Sequence, residues 1–311
     1  MATPMFRDKL LAALGGPWPD KHDLNVKVLS REQKDGYRLE KVQYEPEAGD
    51  TIPAYVLVPD GVTPQNPAAT VCIWHQHAGQ YHLGKSEPAG MDGAQMHHTG
   101  VGLAQEGFFV VCPDAVGFEE RVKPYERLRG GDLERHIFLK YVVAGKSMAW
   151  KNILDMKRTV DYAVSRPEVD AENIGCYGHS MGSTHAWLGG PWEPRIKALV
   201  GNCCLPTYAA IHRTELLHCF PSFIPGLYQY GDTPDICGLI APRPLHMNFG
   251  DKDSGSPIKE AREGIATIKQ AYDAVHAKGR FTSFIQEDTG HVLSPEMWEL
   301  TLAFFNRYLR G

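Results

Sequence analysis

No apolar run in the chain approaches the roughly 18 residues of a membrane span. Nor does Met1 to Pro17 place a basic segment ahead of an apolar stretch. The first absence argues against a membrane partner, and the second predicts a soluble, cytoplasmic protein. Long blocks of like charge are missing as well. With 37 acidic and 32 basic residues scattered along 311 positions and a net charge of -5, there is no electrostatic footprint for nucleic acid or an anionic surface. Paired-cysteine motifs are also lacking. Cys72, Cys112, Cys176, Cys203, Cys204, Cys219 and Cys237 are odd in number and contain no C-x-x-C pair. They predict free thiols in a reducing compartment, buried as small core residues, in place of a disulfide framework. Repeats, low-complexity tracts and Gly/Ser linkers are absent, so a single domain over 1–311 is the simplest organisation.

What is present is a large apolar share, 43%, arranged in two patterns. Leu24 to Leu29, Tyr37 to Tyr44 and Ile52 to Val58 are extended segments separated by turn residues, which predicts an N-terminal antiparallel β-meander. From Ala68 onward, short apolar runs alternate with helix-like segments. The runs are Thr70 to Trp74, Phe108 to Cys112, Ile174 to Tyr177, Ala198 to Val200 and Leu245 to Phe249. This alternation predicts an α/β fold, a mostly parallel central sheet flanked by helices. Helices are expected over Asp132 to Ser165, Pro257 to Lys278 and Pro295 to Arg310. Between Leu205 and Arg243 the chain is rich in proline and aromatics without a clean period, which marks an insertion that could form a pocket.

The chemistry-bearing motif is Gly178-His-Ser-Met-Gly182, placed directly after a strand and before a helix-compatible stretch. At such a G-x-S-x-G elbow the serine occupies a strained, sharp turn, and glycine two residues to either side avoids collision with the adjoining strand and helix. Ser180 is therefore the candidate nucleophile, and the Met181 amide, at a helix N-terminus, is a candidate oxyanion donor. A serine needs a base downstream. His291 fits, since it follows the strand-like run Phe281 to Gln286, sits in a polar loop and precedes the last helix. The acid is expected after Leu245 to Phe249, where Gly250-Asp-Lys-Asp253 offers two carboxylates. Asp253 is preferred and Asp251 is the alternative, better placed to stabilise the turn. The second oxyanion amide is expected in Trp74-His-Gln-His-Ala-Gly79, from His77 first or Gln76 second.

Together these residues resemble the dienelactone hydrolase and acetyl xylan esterase-like branch of the α/β-hydrolases. The resemblance is carried by Trp74-His-Gln-His77, Gly84 to Gly90, Pro113-Asp114, Gly117 to Arg121, Arg166 to Asp170, the elbow, Ala241 to Leu245 and Gly250 to Asp253. It spans about residues 50 to 300. The α/β-hydrolase fold and a carboxylic-ester hydrolase without metal or organic cofactor are what it implies, with a small-molecule ester as partner. Dienelactone hydrolases proper carry a cysteine nucleophile, where this elbow has Ser180.

Two other function classes compete. A metal-dependent hydrolase would use His75, His77, His82, His97 and His98, but no carboxylate completes a known ligand spacing. A non-catalytic binding protein on this fold would be expected to have lost Ser180 or His291. The insertion directs attention to substrate size: Phe223 and Tyr230 are candidate pocket walls, and the absence of an interfacial helix favours short-acyl, soluble esters. Glu119, Glu120 and Arg121 are expected to form a loop ion-pair network.

Overall fold

In the computed structural model, which describes residues 4–203 and 205–311, the meander is formed by β1 (Lys27–Lys34), β2 (Tyr37–Tyr44) and β3 (Ile52–Pro59). β1 begins later than Leu24 because it is an exposed edge strand, whose limits are set by pairing with β2 and not by an apolar pattern. A helix that the sequence pattern does not announce, α1 (Pro4–Leu14), precedes it. Phe6, Leu10 and Leu14, four residues apart, bury one stripe of that helix in the core.

The remaining strands are β4 (Ala68–Trp74), β5 (Phe109–Pro113), β6 (Val169–His179), β7 (Ile196–Asn202), β8 (Leu245–Gly250) and β9 (Phe281–Gln286). All nine form one sheet in the order β1-β2-β3-β5-β4-β6-β7-β8-β9. The pairs from β1 to β5 are antiparallel, and those from β5 through β4 to β9 are parallel. Every residue of β4, β5 and β8 is buried, as a strand covered on both faces must be. The covering helices are α2 (Thr99–Gln105), α3 (Gly130–Val143), α4 (Met148–Ser165), α5 (Met181–Gly189), α8 (Ile258–Ala274) and α9 (Pro295–Phe305), with α6 (Tyr208–Thr214) and α7 (Thr233–Gly238) inside the insertion.

The single helix expected over Asp132 to Ser165 is instead two, α3 and α4. Gly145 takes φ +71° after α3, and Ser147 caps α4 by accepting the Trp150 amide at 3.1 Å. Both breakers were in the sequence, but the apolar spacing continues across them and hides the break.

The path of the chain decides where a site can form. After β4 the chain moves outward to β5, then returns to the other side of β4 as β6. The carboxyl ends of β4 and β6 therefore lie side by side, with Trp74 paired to Gly178, and ligands of open α/β sheets bind at such a reversal. Cys72, Cys112, Cys176, Cys203 and Cys237 are buried, Cys219 is half-buried, and these six are free thiols. Cys204 lies outside the described residues. Among the described residues no helix is long and apolar enough to cross a membrane.

Candidate active site

Ser180 stands between β6 and α5 with φ +57° and ψ -119°, a conformation that costs a non-glycine residue about 1–3 kcal/mol. The strain is held by the surroundings: the Ser180 amide donates to Asn202 O at 2.9 Å, and its carbonyl accepts from Thr184 N at 3.2 Å. The two flanking glycines are steric necessities. A Cβ on Gly178 would lie 2.0 Å from the Gly182 carbonyl carbon, and one on Gly182 would lie 1.9 Å from Trp74 O. The nearest approach of β4, the elbow and α5 thus leaves room for hydrogen only.

Three side chains from three strand ends meet here. His291 Nε2 is 2.8 Å from Ser180 Oγ, and His291 Nδ1 is 2.8 Å from Asp253 Oδ2. The carboxylate can only accept, so Nδ1 carries the imidazole proton and Nε2 is left to accept from the serine hydroxyl. Asp253 is buried, and its Oδ1 accepts the Gly255 amide at 2.8 Å. Asp251 points elsewhere: its Oδ1 accepts from Thr289 N at 3.2 Å, and Lys252 lies 3.7 Å from its Oδ2. It ties the β8 turn to the loop that carries His291.

Ser180 opens onto a cavity of about 450 Å³ lined by His77, Tyr81, Glu134, Leu217, His218, Phe220 and residues 253–255, among others. His77 is therefore beside the nucleophile, whereas Gln76 turns its carboxamide to Glu87, with Nε2 2.9 and 3.0 Å from the two carboxylate oxygens. Met181 opens α5, where the first amides have no intrahelical acceptor.

The pocket walls need correction. Phe223 lines a different cavity, with Phe138, Tyr208, His212 and Tyr228, and Tyr230 is half-exposed with its ring under the Lys9 ammonium at 5.0 Å. The insertion does reach Ser180, but through Leu217, His218, Cys219 and Phe220. Its irregular backbone gives no period from which to read which aromatics face inward. Glu134 and Tyr81 carried no sequence signal, since an acidic residue on a helix and a tyrosine in a loop are ordinary at the surface.

Among the described residues the candidate metal-site histidines do not come together as one ligand group. His75 donates through Nδ1 to Gln76 O at 2.7 Å and accepts the Ala115 amide on Nε2 at 3.0 Å. His77 faces Glu134, His97 packs on His179, and His98 lies against Asp92 O. Glu119, Glu120 and Arg121 do form an ion-pair network. Lys85 is buried against Asp114 at 3.0 Å, Glu120 at 2.9 Å and Glu119, and Arg121 bridges Asp50 at 2.7 Å and Asp155 at 2.5 Å.

Burial holds several histidines neutral: it pushes His75 down to about 4, and His185 down to about 3 with added repulsion from His75 and His77. An unfolded chain regains an ordinary histidine near 6.5 and so binds more protons than the native state between these limits. Stability from these groups is complete above that value and is lost as the pH falls toward 4. We expect urea unfolding to lose about 2 kcal/mol per histidine between about pH 7.5 and about pH 5. Asp114, raised to about 7 by burial, acts in the opposite direction, so the comparison needs a variant. In His185→Gln the acid-induced loss should shrink; an equal loss in both proteins would remove His185 from this account.

The Abhydrolase family model matches residues 14–299. YtaP of Bacillus subtilis strain 168, provisionally named a hydrolase, is 31% identical over 274 residues, 87% of each chain. Among solved structures, a glucuronoyl esterase from Solibacter usitatus superposes with a TM-score of 0.68 at 16% identity, covering 96% of this chain and 91% of that one. An acetyl xylan esterase from Paenibacillus sp. R4 does so with a TM-score of 0.64 at 18% identity, covering 98% and 94%. At such identities the two structures carry the α/β-hydrolase fold alone.

Proposed function

Because the chain belongs to the Abhydrolase family, we propose that it is a serine-dependent carboxylic-ester hydrolase acting on short-acyl or small soluble esters through an acyl-enzyme intermediate. The observation that carries this reading is the continuous hydrogen-bonded relay from Ser180 through His291 to Asp253.

In this mechanism Ser180 Oγ attacks the ester carbonyl carbon as its proton passes to His291 Nε2, and Asp253 steadies the resulting imidazolium through Nδ1–H. Negative charge collects on the former carbonyl oxygen, where the amides of Met181 and His77 receive it. Collapse expels the alcohol, which takes the proton from Nε2 and leaves an acyl group on Ser180. Water then repeats the sequence with His291 as base, releasing the acid and restoring the serine. The neutral imidazole is required at both steps.

Support for small substrates comes from the size of the cavity, about 450 Å³, and from Tyr81, Glu134, His218 and Ser254, which set polar groups into the apolar wall that Leu217 and Phe220 help to form. The neighbouring acetyl xylan esterase makes acetylated sugars a sensible arm of the test. kcat/KM should be measured for acetyl, butyryl, octanoyl and palmitoyl aryl esters beside acetylated sugars. We expect a fall of at least about tenfold from butyryl to palmitoyl. Leu217→Ala and Phe220→Ala should alter this profile, and Phe223→Ala and Tyr230→Ala should not. A preference for palmitoyl would overturn the short-acyl reading.

A further inference from the structure

The loop that sets His77 beside Ser180 at the cavity is held by one buried carboxylate on another element. Glu134, on α3, is buried, and its Oε2 lies 2.8 Å from His77 Nε2 and accepts the Tyr81 hydroxyl at 2.7 Å. The imidazole is in turn bound to its own loop, since His77 Nδ1 accepts the Gly79 amide at 2.9 Å. With Nδ1 an acceptor, the ring proton resides on Nε2 and is donated to the carboxylate. Ala78 and Gly79, at φ +44° and +70°, form a left-handed pair that alanine adopts only at a cost. Phe118 packs against this arrangement, 5.1 Å from the rings of His75, His77 and Tyr81.

A buried carboxylate is a poor device for stability, because its desolvation offsets much of what its partners return. Among the described residues Glu134 Oε1 takes no hydrogen bond, so all of the hydrogen bonding seen at this carboxylate falls on His77 and Tyr81 of the one loop. Both donors lie on the segment that supplies an oxyanion amide in the mechanism above.

We propose that Glu134 is a positioning residue, which fixes the backbone of residues 75–81 through the His77 imidazole and the Tyr81 hydroxyl so that the His77 amide is aimed at the developing oxyanion. This rests on the serine-esterase reading. A misdirected amide weakens the transition state far more than the substrate complex, and a displacement of about 1 Å can cost roughly 100-fold.

The test compares Glu134→Ala, Glu134→Gln, His77→Ala, Tyr81→Phe and the Glu134→Ala/His77→Ala double variant with the wild type. Glu134→Ala should lower kcat by about 100-fold with KM within about twofold, and Glu134→Gln, which keeps an acceptor oxygen, should recover most of it. The double variant should lose no more than the worse single one, since both act through one contact. Affinity for an aryl trifluoromethyl ketone, whose adduct places an oxyanion in the hole, should fall in step with kcat/KM. Multiplying losses, or an unchanged ketone affinity beside a lowered kcat, would overturn the proposal. If Glu134→Ala does not fold, Tyr81→Phe and His77→Ala must each lower kcat with KM kept, and no change in either overturns it. Fluorophosphonate labelling of wild-type Ser180 reports separately on the esterase reading. Amide hydrogen exchange over 75–81 needs no activity: it should quicken in Glu134→Ala and Tyr81→Phe and stay near the wild-type rate in Glu134→Gln, and unchanged exchange in whichever of the first two variants fold would overturn the proposal even in an inactive enzyme.

Discussion

Ser180→Ala is expected to lower kcat/KM for a soluble aryl ester by about 10⁴- to 10⁶-fold while leaving the protein folded. The hydroxyl is the only part of the side chain that changes, and its partner among the described residues, His291 Nε2, stands at the cavity where water can replace it. Alanine at φ +57° is no more strained than serine, and the backbone bonds to Asn202 and Thr184 do not involve the side chain. Thermal unfolding should therefore stay at or above the wild-type temperature, as loss of a poised active-site group often relieves a small cost. What activity remains would come from the oxyanion amides and binding alone. Initial rates beside a thermal melt decide the matter: hydrolysis within tenfold of wild type would move the nucleophile away from Ser180.

Asp253→Asn should lower kcat by about 10⁴-fold, and Asp251→Asn by less than about tenfold. The difference follows from the donors each carboxylate receives. Asp253 accepts from both sides, the Gly255 amide on Oδ1 and His291 Nδ1 on Oδ2. An asparagine has one acceptor oxygen, so its amide group must face one of the two donors. If it faces Nδ1, the imidazole proton shifts to Nε2, where it cannot accept from Ser180; if it faces Gly255, a buried amide pair clashes and the loop moves. Asp251 accepts from the Thr289 amide, a task a carboxamide oxygen can perform. Single-turnover acylation rates for both variants check this, and the opposite ranking would transfer the acid's role to Asp251.

The elbow was legible in the sequence because its residues lie within a short, fixed spacing. Gly178 must be glycine because of Gly182 four residues on, and although Gly182 must be glycine because of the Trp74 carbonyl on the neighbouring β4, its place is still marked by that spacing and by the strand before and helix after it, which are read from short-range pattern. His291 and the pair Asp251/Asp253 were legible for a related reason, since each follows a buried strand whose apolar run is plain in the sequence. The choice between the two aspartates required the course of the loop, because both carboxylates have the same chemistry and lie only two residues apart. Phe223 and Tyr230 show where such reasoning stops. Aromatic character indicates that a side chain will pack, but in an insertion without a period it cannot indicate whether the ring lines the cavity at Ser180, lines another, as Phe223 does, or stays half-exposed, as Tyr230 does.

The sequence by itself determined the alternation that makes a parallel sheet, the strained serine turn and the strand ends on which a base and an acid could be carried. The tertiary structure decided the rest. The crossing of the chain from β5 back past β4 to β6 sets the His77 loop beside Ser180, although about a hundred residues separate them. Helix α3 then carries Glu134 beneath that loop, and a bend in the insertion turns Leu217 to Phe220, and not Phe223, toward the nucleophile. The physical reason is range: propensity, sterics and apolar period act over a few residues, while the meeting of side chains from distant segments depends on the order in which strands pair and on how the layers pack.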